Sequence, residues 1–143
     1  MALDLSETLV VGISATALFD MSESDQMFKA ALEADPESVI DNYRRYMQAR
    51  EGEPLAPGTG YHLVKALLDL NRHMKGEDTS PLVEVVVMSR NSPDTGIRVL
   101  RTIRHEQLAI TRSAFTGGES VADYMDAFDV DLFLTTNVED AQK

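Results

Sequence analysis

TLVVGIS (residues 8–14) is a short, almost unbroken apolar run rich in valine. A strand with one wet face alternates apolar and polar residues, so a run without alternation predicts a strand buried on both faces, as in a parallel sheet. Such a strand needs helices on either side. The pattern returns in LVEVVVMS (82–89), and AITRSAF (109–115) and DVDLFLTTN (129–137) read as a third and fourth strand.

Between these runs the period changes to that of helices. MSESDQMFKAALEA (21–34) places Met27, Phe28, Ala31 and Leu32 at helical spacing, with Ser22 or Ser24 as the cap. A second helix is predicted from Pro36 to Gln48, with Val39, Ile40, Tyr43, Tyr46 and Met47 on one face. EGEPLAPGTG (51–60) is a connection, and YHLVKALLDLNRHM (61–74) a helix with Leu63, Ala66, Leu67, Leu70 and Met74 at core spacing and Thr59 as its cap. GEDTSP (76–81) closes it. IRVLRTIRHEQL (97–108) is a further helix, and TGGESVADYMDAF (116–128) a turn and a short one. The order predicts a three-layer α/β domain, a mostly parallel sheet with helices on both faces and right-handed crossovers.

Composition narrows the function. A chain of 143 residues suits one domain, large enough to bury its own core. With no cysteine, disulfides, thiolate zinc sites and a cysteine nucleophile are excluded, and a cytoplasmic location is expected. No run approaches the roughly 18 apolar residues of a membrane span, and Asp4 and Glu7 stand where a signal peptide carries basic residues, so neither export nor insertion is expected. A net charge of −11 argues against nucleic acid and anionic membranes as partners. Arg90, Arg98, Arg101, Arg104 and Arg112 cluster within one stretch and read as solvated helix faces. His62, His73 and His105 have no ligand spacing, and Asp20, Glu23 and Asp25 read as an acidic first helical turn.

Ligands of an open parallel sheet sit beyond the carboxyl ends of its strands. Four polar turns follow the four strands here: SATALFD (14–20), SRNSPDTG (89–96), TGGES (116–120) and TTNVED (135–140). Hydroxyls, amides and glycine-exposed backbone N–H groups at helix starts suit a phosphate. The candidate contacts are Ser14, Thr16, Ser89, Arg90, Asn91, Thr116, Gly117 and Gly118. TGGES can equally be a tight turn before a helix, and Ser89 to Asn91 can equally be a helix cap.

Taken in order, ISATALFD (13–20), PLAPGTGYHLVKALLDLN (54–71), VVVMSRN (85–91), AFTGGES (114–120) and DLFLTTN (131–137) make the chain resemble the cytosolic 5′-nucleotidase type I family, whose fold is similar to the haloacid dehalogenase-like phosphatases. The resemblance implies a magnesium-dependent phosphomonoester hydrolase acting on nucleoside 5′-monophosphates. It also implies an aspartate nucleophile and, two residues on, an acid–base aspartate, at positions that here hold Ser14 and Thr16. Ser89 matches the hydroxyl that binds the phosphoryl group, whereas Glu119 replaces a charge-stabilising lysine, and Thr136 and Asn137 replace magnesium-holding acids, with Glu139 and Asp140 displaced along the chain.

These departures point one way. Magnesium needs at least one or two carboxylates besides substrate oxygens. A serine nucleophile needs an activating base, and none stands beside Ser14 in the sequence. A carboxylate about 4 Å from a phosphate costs about 4 kcal/mol at an effective dielectric of 20, and Glu119 is expected to fill the anion site itself. The resemblance is therefore to the family's non-catalytic N-terminal half, and Mg2+ is not expected to be held by this chain alone. A second half of the same family carrying Asp-x-Asp is the implied partner. The chain is expected to be one domain over 1–143 that stops before the fold's last elements, NVEDAQK (137–143) starting a helix and ending. Two readings stand: a portion that works with a catalytic half, or a stand-alone binding or assembly module, with a homo-oligomer open in either.

Overall fold

β1 (Leu9–Ile13) lies at the centre of the sheet, and the computed structural model, which describes residues 8–73, 81–91, 93–137 and 141–142, builds outward from it. On one side it pairs in parallel with β4 (Val83–Ser89), Leu9 opposite Val83 and Ile13 opposite Val87. On the other it pairs in parallel with β6 (Leu132–Leu134), Val11 opposite Leu132. β5 (Arg112–Phe115) runs parallel to the outer side of β4, so the order is β5-β4-β1-β6. All seven residues of β4 are buried, which is why its sequence is nearly continuous valine. Fully burying such a side chain contributes about 1.5–3 kcal/mol, so β1 and β4 carry much of the fold.

The two faces of the sheet have different covers. Val11, Ile13, Val83, Val85 and Val87 pack against the α-helical layer, and Val10, Val86 and Met88 against the segment from Val121 to Val130. That segment is one 3₁₀ turn (Val121–Tyr124) and a loop that buries Met125, Phe128 and Val130 in part. The expected three-layer α/β architecture holds, its second layer being this thin cover. Steps from β1 to β4 and from β4 to β5 pass over the helical face, and the step back to β6 passes under the other, which keeps one handedness throughout.

The helical layer contains α1 (Ala15–Leu18), α2 (Ser22–Ala34), α3 (Val39–Ala49), α4 (Tyr61–Asp69), extended by a 3₁₀ turn (Leu70–His73), and α5 (Pro93–His105). α1 is a single turn at the end of β1. Directly after it β2 (Phe19–Asp20) pairs antiparallel with β3 (Ala56–Pro57), so α2 and α3 are an insertion between the two strands of a small ladder. Neither the turn nor the ladder was expected from the sequence.

Several local expectations are corrected. α2 starts at Ser22 with Met21 at the cap position; no serine caps it, and the Asp20 carboxylate accepts from the Ser22 N–H instead. Gly60, not Thr59, precedes α4. The buried face of α4 is Tyr61 and Val64, with Leu67 and Leu68 half-buried, while Leu63 and Leu70 are exposed and Ala66 faces solvent. Ile40 of α3 is 65% exposed. Glu23 and Asp25 do form the acidic first turn of α2. Asp4, Glu7, Met74, nearly all of GEDTSP, and Glu139 and Asp140 with most of the terminal helix lie outside the described residues.

Candidate functional site

β1 delivers Ser14 to the carboxyl end of the sheet. The Ser14 N–H donates to the Leu134 carbonyl at 2.9 Å, tying β1 to β6, and its Oγ accepts from the Ala17 N–H at 3.2 Å, capping α1. Two residues on, Thr16 Oγ1 lies 3.4 Å from Ser14 Oγ and 2.6 Å from Thr136 Oγ1. Where the resemblance places two carboxylates, the structure has a chain of hydroxyls running from β1 to the turn after β6.

β4 delivers Ser89, whose hydroxyl donates to Asn91 Oδ1. The turn after β5 braces this one: Thr116 N–H donates to the Ser89 carbonyl at 2.9 Å and Gly117 N–H to the Asn91 carbonyl at 3.1 Å. Gly117 and Gly118 have φ of 67° and 113°, which glycine adopts without strain. The Thr116 hydroxyl donates to the Glu119 carbonyl at 2.6 Å, so the polar groups of Thr116 and the Gly117 N–H serve the turn. Glu119 sends its carboxylate to the Tyr124 hydroxyl at 3.0 Å, which raises the Tyr124 pKa above its ordinary value, first through that hydrogen bond and then through the negative charge. The expected filling of the anion site by Glu119 is not what the structure has.

These turns enclose a cleft of about 220 Å³ lined by Ser14, Thr16, Met88, Ser89, Arg90, Asn91, Thr135 and Asn137. Five of the eight candidates from the sequence meet there, and Thr116, Gly117 and Gly118 do not line it. Met88, Thr135 and Asn137 are the additions. Thr135 and Asn137 belong to the fourth polar turn, where the sequence signal lay, and Asn137 N–H donates to Thr135 Oγ1 at 2.9 Å. Met88, the last residue but one of a buried strand, carries no polar signal.

Chemically the lining offers hydroxyls, two amides and one guanidinium at strand ends, with α5 starting just beyond Asn91. This suits an oxyanion, because N–H groups, hydroxyls and positive charge all favour it. It does not suit the magnesium that the resemblance implies. The lining residues supply no carboxylate and one fixed positive charge, and no group of three or more His, Asp or Glu stands together among the described residues. His62 and His105 are exposed on their helices.

The sequence pattern of 5′-nucleotidases matches the chain over residues 1–143. The chain belongs to the 5′-nucleotidase family. Within it, cytosolic 5′-nucleotidase 1B of Homo sapiens is 26% identical over 137 residues, covering 94% of this chain and 21% of that protein. The chain thus spans about a fifth of the length of that relative. No solved structure matches the chain. No helix among the described residues is long and apolar enough to cross a membrane.

Proposed function

We propose that this chain is a non-catalytic portion of a 5′-nucleotidase, one that grips the phosphate of a nucleoside 5′-monophosphate and leaves bond cleavage to a carboxylate-bearing portion of the same family. The observation that carries this reading is the composition of the strand-end cleft: Ser14, Thr16, Ser89, Arg90 and Asn91 converge there with no carboxylate among the lining residues. Phosphate oxygens would accept from Arg90 and from the hydroxyls, that of Ser89 turning from Asn91 Oδ1 to the ligand, with the turn Thr116–Gly118 holding the backbone of Ser89 and Asn91 in place. Hydrolysis needs a nucleophile and a counter-charge for the leaving group. Ser14 Oγ has Thr16 and a backbone N–H as neighbours rather than a base, so it is not activated. Magnesium chemistry belongs in this reading to the catalytic portion, and the cytoplasm is its setting, as the name of the human relative suggests for that protein.

The test is titration of the purified chain with AMP and with inorganic phosphate, each with and without magnesium. Amide shifts at 14–16 and 89–91, no phosphate release, and hydrolysis only when a family catalytic portion is added support the reading. Phosphate release by the chain alone, lost in Ser89→Ala, overturns it. A second reading, an assembly module without ligand, is favoured by the exposed Leu63 on α4 and Leu70 on the 3₁₀ turn that extends it; it predicts self-association and no amide shifts with either anion.

A further inference from the structure

The strand-end cleft does not end at Thr16. A second, shallower cavity of about 420 Å³ shares Thr16 with it and is lined otherwise by Asp20, Pro57, Gly58 and Thr59, the facing strands of the β2–β3 ladder and the turn after it. Its geometry is fixed by backbone. Gly58 N–H donates to the Leu18 carbonyl at 2.9 Å and Gly60 N–H to the Ala17 carbonyl at 2.8 Å. A Cβ on Gly58 would stand 2.6 Å from the Ala17 oxygen, so only glycine lets the loop lie this close to α1. The wall is thus rigidly placed beside the hydroxyl chain of the first cleft.

We propose that this cavity is the sugar subsite of the nucleotide site, with Asp20 accepting hydrogen bonds from the ribose 2′- and 3′-hydroxyls and Pro57 and Gly58 giving the apolar wall. This rests on the reading of the first cleft as a phosphate cradle. A nucleoside 5′-phosphate is a phosphate joined through one methylene to a polyol ring, and the two cavities meet at one residue, as that connection requires. Among the described residues Asp20 is the only charged one lining the second cavity, and a carboxylate is acceptor-only when ionised, which suits a pair of hydroxyl donors. One of its oxygens, Oδ1, is engaged by the Ser22 N–H at 3.0 Å, which aims the group and holds its pKa below the usual value. The Ser22 side chain also bonds this carboxylate, and because each carboxylate oxygen has two lone pairs, acceptor positions remain for the two hydroxyls. A phosphate placed near Asp20 would be repelled, so the ligand has one orientation: phosphate at Ser89 and Arg90, sugar at Asp20.

The test compares dissociation constants of inorganic phosphate, ribose 5-phosphate, 2-deoxyribose 5-phosphate and AMP for the chain and for Asp20→Asn, which keeps an acceptor for the Ser22 N–H. A tighter ribose than deoxyribose ester, by about tenfold, is expected for the chain, since hydrogen bonds to charged groups carry that order of discrimination. In Asp20→Asn the ratio is expected to fall toward one, with the constant for inorganic phosphate as the internal reference. Phosphate binding without preference between the two sugars, or a preference unchanged in Asp20→Asn, overturns the sugar subsite alone. Failure of inorganic phosphate to bind overturns the phosphate reading and this inference with it.

Discussion

Ser14 both ends a strand and starts a helical turn, and its side chain spans the two. Its Oγ accepts from the Ala17 N–H, so Ser14→Ala removes a cap and is expected to lower stability by about 1 kcal/mol in urea unfolding. A second residue-scale consequence concerns pH. Neutral Tyr124 donates to Glu119, so the Tyr124 pKa is higher in the folded state than the ordinary 10.0. Its contribution to stability is fully present below 10.0 and is lost as pH rises through the raised folded value. Tyr43 and Tyr61 are raised as well, by burial first, so the check is a difference: an ultraviolet titration of phenolate formation is expected to show a single tyrosine returned toward the ordinary value in Glu119→Gln. The residues of this site were legible where chemistry shows in side-chain type: Ser89 and the hydroxyls at 14 and 16 stood out as sequence. The direction of a side chain did not. Glu119 was expected at the anion site, yet a tyrosine five residues on takes it away, an interaction that depends on the turn geometry.

Among the elements, the ladder of β2 and β3 positions most of the second cavity, and two contacts hold it. Gly58→Ala would force a Cβ against the backbone of α1, which cannot yield as a side chain does, and is expected to cost about 1–3 kcal/mol by denaturant unfolding. Thr102 on α5 accepts from the Leu55 N–H at 3.1 Å while donating to the Arg98 carbonyl at 2.9 Å, all of it buried. Thr102→Val keeps the shape and orphans that N–H, with an expected loss of about 1–3 kcal/mol. The strands of the sheet were readable because an unbroken valine run has few other uses. The ladder was not, since strands of two residues fall below any periodicity. α4 misled for a different reason. Leu63, Ala66 and Leu70 form one apolar stripe and Tyr61, Val64 and Leu68 another, so sequence leaves the choice of buried face to packing.

Across the whole molecule, the helical core and the core under the thin cover are separated by the sheet, and a charge pair sits on the thinner side. Glu84 on β4 is nearly buried and pairs with Arg112 on β5, whose guanidinium also donates to the Phe128 carbonyl at 3.0 Å. Arg112→Ala leaves the carboxylate buried without its cation and is expected to cost about 3–5 kcal/mol in thermal or urea unfolding. The double variant Glu84→Leu, Arg112→Met is expected to recover most of that, because replacing both partners removes the buried charge. The Glu84 Oε2 atom has no hydrogen-bond partner among the described residues, which further lowers the pair's net worth. The four strands of the parallel sheet could be inferred from sequence, but their order could not, since apolar runs do not state their neighbours. That order also has a kinetic side. The central strand precedes the other strands of its sheet in the chain, yet one of its flanks is closed by Asp131 N–H donating to the Val10 carbonyl and by Val10 N–H donating to the Asp131 carboxylate, more than a hundred positions later. Bringing such distant partners together is entropically slow, so the nascent chain must wait, with half of its core strand unzipped, until almost the last of these residues has been synthesised.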